Sequence, residues 1–366
     1  MKRWPTKSLG ELVSLEYGRA LRTSGRSGSG RFPVYGSNGV VGSHDQAVTE
    51  EPTIVLGRKG AIGEAHLVPN GCWPIDTAFY TQLKHPGAIS LRYLLYWFRS
   101  ADLKSLAITA TIPGLNRRTL YMQLVPVPPL PEQERIVKLL DEADELRKLR
   151  TQADRRTADL IPALFHEMFG DPATNPKGWP VKSLGNVLEI SRERIEPTSC
   201  SGTLFNYIGL EHIERNTGTL LPHKPMAGAV IRSTKNVFHP GDILYGKLRP
   251  YLNKVHLAAH EGICSTEICV LRALHGKVHP SFATSYLRLP HVLHAATGAM
   301  AGANLPRIAP ESLLSIPIAV PPFSLQTEFA EGVSEIDALT TVQATGRMRL
   351  DALFQSVLHC AFKGEV

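Results

Sequence analysis

The chain begins the same way twice. "WPTKSLGELV" starts at Trp4 and "WPVKSLGNVL" starts at Trp179, 175 residues later. Six of the first seven letters agree, including a tryptophan, a residue the chain uses only four times. A repeated unit has to fold the same way in both places, so this feature constrains the architecture before any other. Three more correspondences follow in the same order. "TIVLGRKGAIGEAHLV" (Thr53–Val68) faces "DILYGKLRPYLNKVHLA" (Asp242–Ala258), each reading as strand, glycine, basic residues, strand. "LVPVPPLPEQERIVKLLDEADEL" (Leu124–Leu146) faces "IPIAVPPFSLQTEFAEGVSEIDAL" (Ile316–Leu339), where proline-broken extended chain runs into helix. "ALFHEMFG" (Ala163–Gly170) faces "ALFQSVLH" (Ala352–His359). The expectation is a tandem duplication: head and helix, then head and helix.

Alternate steps of three and four trace a heptad seam through Ile136, Leu139, Ala143, Leu146, Arg150, Ala153, Thr157, Leu160 and Leu164. A second runs through Ile336, Leu339, Gln343, Gly346, Leu350, Leu353, Val357 and Cys360. Pro131, Glu132 and Glu134 suit a first helical turn, and Ser324 is read as the N-cap of the second helix. Pro162 is expected to kink or split the first. Roughly 35 residues of helix span about 50 Å. Two such helices either pack on their own heads or bury their seams against each other. Antiparallel pairing would set the heads at opposite ends of a ruler about a pseudo-twofold axis, matched to the roughly 34–36 Å turn of duplex DNA.

Charge follows the same division. Residues 1–130 carry 15 Lys and Arg against 8 Asp and Glu, and residues 171–320 carry 15 against 10. The segments behind them, 131–170 and 321–366, are mildly acidic, with 7 basic against 9 acidic residues and 3 against 6. Two basic blocks suit a polyanion touched in two places. No apolar run approaches the roughly 20 residues of a membrane span, the start has no secretory apolar core, and the five scattered cysteines form no disulfide framework. A reduced, cytoplasmic protein is expected.

At this point the sequence resembles the specificity (S) subunits of type I restriction–modification enzymes, over essentially its whole length. "PVYGSNGVVG" (Pro33–Gly42), "VLGRKGAIG" (Val55–Gly63) and "VPVPPLPEQERIV" (Val125–Val137) are similar to that family's first half. "YIGLEHIERNTGTL" (Tyr207–Leu220), "LYGKLRPYLNKV" (Leu244–Val255) and "IAVPPFSLQTEFA" (Ile318–Ala330) are similar to its second. The resemblance implies an α+β chain of two strand-rich target recognition domains (1–130 and 171–322). Each is followed by a spacer helix region (131–170 and 323–366), the helices forming an antiparallel coiled coil. It implies a non-catalytic subunit that reads a split sequence in double-stranded DNA and holds two methyltransferase subunits, joined by motor–nuclease restriction subunits. S-adenosylmethionine, ATP and Mg would serve the partners, and no cofactor would bind this chain. The second proline run, "PPFSLQTEF", departs from the pattern by lacking the acidic "PEQER" of the first.

Catalytic motifs are missing. "VPPF" (Val320–Phe323) places valine where an amino-methyltransferase needs a side-chain acceptor for the target amine. "GRSGSGRF" (Gly25–Phe32) lacks the Lys-Ser/Thr of a phosphate-binding loop and reads as a flexible connection. His256, His260, Cys264 and Cys269 have ligand chemistry but not the usual zinc spacing, and "ICSTEICVLRAL" reads as a single strand with its cysteines on opposite faces. The DNA-binding candidates are Ser37, Asn38, Arg58, Lys59 and Thr77 in the first head. In the second they are Lys247, Arg249, Asn253, Lys254 and Thr266. Arginine and lysine can bridge guanine acceptors, and asparagine can pair with adenine. Tyr35 and Tyr245 suit either DNA contact or core, and Trp4 and Trp179 suit packing. Two rival readings stay open: a single-chain methyltransferase or nuclease with degenerate motifs, and a duplicated protein-binding scaffold.

Overall fold

The structure is a computed structural model that describes residues 4–107, 113–302 and 304–365. It divides into two compact units, one of Met1–Thr151 with Thr345–Val366 and the other of Gln152–Ala344.

In the first unit the repeated opening forms β1 (Thr6–Ser8) and a single helical turn, α1 (Leu9–Leu12). Ser8 and Glu11 close a capping box, in which the Ser8 N–H donates to Glu11 Oε2 at 2.7 Å. This is the physical content of the "KSLGE" letters. The strands β2 (Val13–Tyr17), β3 (Phe32–Gly36), β4 (Gly39–His44), β5 (Thr53–Gly57), β6 (Ala65–Val68), β7 (Trp73–Pro74), β8 (Ala78–Leu83) and β9 (Leu124–Pro126) follow. An antiparallel sheet has the order β2-β8-β5-β6, a smaller one has β4-β3-β7, and β1 pairs with β9. β5, the unbroken apolar run "TIVLG", is buried at all five positions because both faces of its sheet are covered, Ile54 and Leu56 lying in the main core and Val55 in a smaller cluster with Val68, Cys72 and Ala78. Helix α2 (Leu91–Ser100), N-capped by Ser90, packs Tyr93, Leu94 and Phe98 into the core. α3 (Arg117–Tyr121) leads into β9, and α4 (Leu130–Ala158) leaves the head.

The first seam holds only in part: its Ile136 and Thr157 are buried. Gln133, Ile136, Val137 and Leu140 are buried, while Leu139 and Leu146 are exposed, because the first turns of α4 face their own head. The same core takes Phe354, Leu358 and Ala361 from the end of the chain. α4 stops at Ala158 and α5 (Leu160–Phe169) restarts after Asp159. Pro162 accounts for the break, since a proline cannot bond the carbonyl four residues back, here Ala158, and its ring crowds it.

The second unit repeats the plan. β10 (Val181–Ser183) is followed by β11 (Leu188–Ile190), β12 (Arg194–Ile195), β13 (Leu204–Phe205), β14 (Tyr207–Ile208), β15 (Met226–Ala227), β16 (Lys235–Phe238) and β17 (Ile243–Gly246). Then come β18 (Val255–Leu257), β19 (Gly262–Cys264), β20 (Ile268–Ala273), helices α6 (Pro280–Leu287) and α7 (Pro290–Gly298), β21 (Met300–Ala301), β22 (Arg307–Ile308), α8 (Pro310–Leu314) and β23 (Pro317–Ala319). The main sheet has the order β11-β20-β17-β18, strand for strand that of the first unit, and β10 pairs with β23 as β1 pairs with β9. The registers align too: Thr6 opposes Pro126, and Val181 opposes Ala319.

The last helix, α9 (Phe323–Lys363), begins at Phe323, so Ser324 lies inside the first turn and is not its N-cap. Its seam also differs from expectation: Leu339 and Leu353 are exposed, whereas Phe329 and Phe354 are buried in the cores of the two units. Phe329 meets Phe165 of α5 edge-on at 5.5 Å. A Cβ on Gly332 would lie 2.8 Å from Leu164 Cδ2, so the glycine permits this close approach of α9 to α5. Near the start of each long helix one glutamine is wholly buried. Gln133 accepts from the Ser90 N–H and donates to the Ala88 and Pro128 carbonyls. Gln326 accepts from the His279 N–H and donates to the Pro321 carbonyl. These two residues are the shared letter of "PEQER" and "SLQTE", and they explain why the acidic neighbours can change while the helix still starts in the same way.

Candidate nucleic-acid interface

In the first head all five sequence candidates fall around one loop end. Ser37 and Asn38 form the two-residue turn between β3 and β4. Arg58 and Lys59 leave β5 at Gly57, and both their N–H groups donate to the Thr77 carbonyl, at 2.9 and 3.1 Å. Gly57 permits the approach: a Cβ there would lie 2.7 Å from the Ser37 carbonyl oxygen and 2.1 Å from that of Ala61. The segment 114–118 closes the other side. Lys59 bridges Gly114, and the Leu115 N–H donates to the Arg58 carbonyl at 3.0 Å.

That segment brings in two residues the sequence reading missed. Arg117 lies over the Tyr17 ring at 5.1 Å, and Arg58 lies over the same ring at 5.2 Å and over Phe79 at 5.8 Å. Each half-exposed cation–π contact contributes about 0.5–1 kcal/mol, enough to bias long side chains toward one position. Among the described residues the Arg58 guanidinium makes no hydrogen bond or ion pair, so its donors stay available. The clue in the sequence was spacing: Pro113 and Pro306 are 193 residues apart, as are the paired positions Pro126 and Ala319.

The second head builds the same loop end with other side chains. The Lys247 N–H donates to the Glu267 carbonyl as that of Arg58 does to Thr77, and the Ile308 N–H donates to the Lys247 carbonyl as that of Leu115 does to Arg58. Arg307 chelates Glu267 through two bonds of 2.9 and 3.0 Å, and these hold the Glu267 carboxyl below the usual range. Thr266 is exposed in the β19–β20 turn. Arg249 and Asn253 bracket a short 3-10 turn, both in the left-handed region at φ 53° and 49°, an uncommon conformation for residues other than glycine. The Arg249 side chain is exposed. Asn253 is buried and donates to the Arg288 carbonyl at 3.0 Å, and Lys254 Nζ donates to the Leu210 carbonyl at 2.6 Å. Both of these side chains hold the loop from within.

The remaining candidates resolve into structural roles. Tyr245 is in the core, and Tyr35 packs half-buried beside Val55 and Cys72. Trp179 Nε1 donates to the Phe169 carbonyl. "ICSTEICVLRAL" is not one strand: a turn at 265–267 separates β19 from β20, closed by the Ile268 N–H on the Ser265 carbonyl. Cys264 and Cys269 are therefore buried in separate cores, and burial pushes the Cys264 thiol up to about 12. His256 Nδ1 is bonded to the Gly218 carbonyl. Among the described residues no group of three or more His, Cys, Asp or Glu is placed to hold a metal ion, and no helix is long and apolar enough to cross a membrane. The glycine-rich 25–32 loop is tied down by paired backbone bonds between Ser27 and Ser43 and by the Gly30 N–H on Ser43 Oγ.

Two heads of one fold, each gathering basic side chains at the same loop end and each joined to long helix, define a duplicated recognition protein. Comparison with known proteins names the group. Residues 1–154 and 176–348 match the Type I restriction modification DNA specificity domain. The chain is similar to the Type I restriction enzyme EcoDI specificity subunit of Escherichia coli, 23% identical over 404 residues, covering 99% of this chain and 88% of the relative. In structure it is similar to the type I restriction-modification system S subunit from M. genitalium, with TM-score 0.59, 16% identity, and 98% and 96% of the two chains covered. It is also similar to a chain solved in work on complex assembly and conformational transition of the type I R-M system, with TM-score 0.58, 18% identity, and 100% and 99% covered. The chain belongs to the type I restriction–modification DNA specificity family. It is a specificity subunit, concerned with DNA target recognition and without catalysis of its own.

Proposed function

We propose that the chain reads a two-part sequence in double-stranded DNA, one part with each head, and holds two methyltransferase subunits, and restriction subunits where present, upon it. The observation that carries this reading is the identical sheet order in the two units, with basic side chains at the same loop end of each. The first target recognition domain spans residues 1–130 and the second 171–322, with spacer helix regions at 131–170 and 323–366. In the first head Arg58, Lys59, Ser37, Asn38 and Thr77 meet the duplex. In the second Lys247, Arg249 and Thr266 do so, on a loop that Asn253 and Lys254 hold in shape. Phosphate contacts set the register and a few base contacts set the sequence.

The spacer is an antiparallel coiled coil with a pseudo-twofold relation between the halves. Support comes from the cores. The start of α4 and the end of α9 pack on the first head, and α5 and the start of α9 pack on the second. α9 alone has 41 residues, or about 60 Å of helix. The chain works in the cytoplasm and binds no cofactor. S-adenosylmethionine, ATP and Mg serve its partners, and a methyltransferase so held reaches an adenine flipped from the stack.

Methylome sequencing of cells carrying the chain and its methyltransferase partner tests the reading. Inserting one heptad into both helices is expected to lengthen the gap between half-sites while leaving the half-sites unchanged. An unaltered gap refutes the ruler, and a complex that methylates without sequence preference refutes the recognition role.

A further inference from the structure

We infer that Tyr17 is a positioning residue that fixes Arg58 and Arg117 as a pair of guanidinium readers for base edges in the first half-site. The inference rests on the DNA-reading role proposed above and adds two residues to it. Three elements far apart in sequence meet here. Tyr17 ends β2, Arg58 follows β5 and Arg117 opens α3. The Tyr17 ring is 48% exposed and its hydroxyl has no bonded partner among the described residues, so neither burial nor a hydrogen bond accounts for a tyrosine at this edge. Its faces do have contacts: Phe79 at 5.0 Å, tilted by 54°, and the two guanidinium groups near 5 Å.

The acidic competition is weak. Glu16 reaches Arg117 only at 3.9 Å, and Arg117 Nη1 also donates to the Leu15 carbonyl at 3.2 Å. A carboxylate chelating these arginines would consume the donors that a base edge needs. A ring face orients a planar guanidinium and leaves its in-plane N–H groups free. Orientation matters more for a base than for a phosphate, because a guanine edge is recognised by two bonds in one plane, whereas a phosphate accepts a cation from many directions. The geometry therefore favours readout over charge screening.

The test uses the full chain assembled with its methyltransferase partner. It compares wild type, Tyr17→Ala, Tyr17→Phe, Arg58→Lys, Arg117→Lys and the double variant Tyr17→Ala/Arg58→Lys. The measurements are the methylated motif and the salt dependence of DNA binding. Tyr17→Ala is expected to relax discrimination roughly 10-fold at one or two positions of one half-site, with the other half-site and the salt slope unchanged. Arg58→Lys and Arg117→Lys should relax positions in that same half-site, because lysine keeps the charge but not the planar fork. Tyr17→Phe should restore discrimination, since it keeps the ring. The double variant should lose less than the sum of the two single losses, because Tyr17→Ala can then act only through Arg117. Additive losses in the double variant would mean that Tyr17 touches DNA by itself, and a uniform loss with a shallower salt slope would mean phosphate contact. Either outcome overturns the inference, as does an unchanged motif in Tyr17→Ala. If the wild-type complex shows no sequence-selective binding, the parent reading falls and this one with it.

Discussion

The two heads share a backbone plan and differ in where they place charge. Where β5 begins in the first head, Thr53 and Thr81 are buried and bonded to each other and to the backbone: Thr53 Oγ1 donates to the Thr81 carbonyl at 2.7 Å, and the Ile54 N–H donates to Thr81 Oγ1. At the matching place in the second head, buried Asp242 is chelated by Arg272 at 2.9 and 3.0 Å, and Arg272 also reaches Glu193. The contrast recurs at the loop end. Arg58 and Arg117 lie on Tyr17 in the first head, whereas the second has the Arg307–Glu267 pair, and Arg192, two residues beyond the end of β11, is the residue that falls at the place of Tyr17 when the register of β2 is counted on. Sheet order and turn bonding are thus held apart from side-chain identity. A frame of that kind lets the side chains at each loop end change without altering the fold.

The sharpest way to break the comparison is to remove charge where only one head uses it. Asp242→Ala should destabilise the second unit by about 3 kcal/mol, the low end for breaking a buried pair, because Arg272 keeps Glu193 and some water. Thr53→Val in the first unit should cost about 1–2 kcal/mol, as expected for the loss of a few neutral hydrogen bonds. Hydrogen exchange resolved by unit checks both, and equal losses would show that the charge difference carries no energetic weight. Next in size are the glutamines at the helix starts. Gln133→Leu and Gln326→Leu each leave backbone groups unpaired and should cost about 2 kcal/mol. Here the heads should respond alike, seen as early exchange of the amides of Ser90 and His279. A loss confined to one of them would mean that the two helix starts are not equivalent.

Local chemistry made part of this readable in advance. "KSLG" is a short strand and a capped turn, completed within a few residues, so its recurrence marked both heads. The strand–glycine–basic–strand pattern placed Arg58 and Lys247 at matching loop ends, and Pro162 marked the helix break. Non-local facts were out of reach. Nothing near Tyr17 in sequence announces Arg58 or Arg117, because sheet register brings them together. The heptad count misplaced Leu139 and Leu353 because spacing alone does not say which face of a helix its head takes, and here the ends of both helices face the heads. Asn253 has the chemistry of an adenine reader, but the left-handed backbone turns its amide inward to Arg288.

Acid gives the smallest effect and separates the loop ends most cleanly. Arg307 holds the Glu267 carboxyl below the usual range chiefly by hydrogen bonding. A carboxylate with a depressed folded-state pKa contributes stability that is present above its unfolded value, about 4.3, and lost as pH falls through the lower folded value. Between pH 6 and pH 3 the second loop end should therefore loosen, while the first, where Arg58 and Arg117 lie on an aromatic ring rather than on a chelating carboxylate, should not. The pair is partly exposed, so the change should be only a few-fold in exchange at the Lys247 and Ile308 amides, relative to Arg58 and Leu115. Glu267→Gln should reproduce the acid state at neutral pH. If Arg58 and Leu115 loosen equally, the first head relies on an ion pair after all, and the division between a stacked head and a salt-bridged one is wrong.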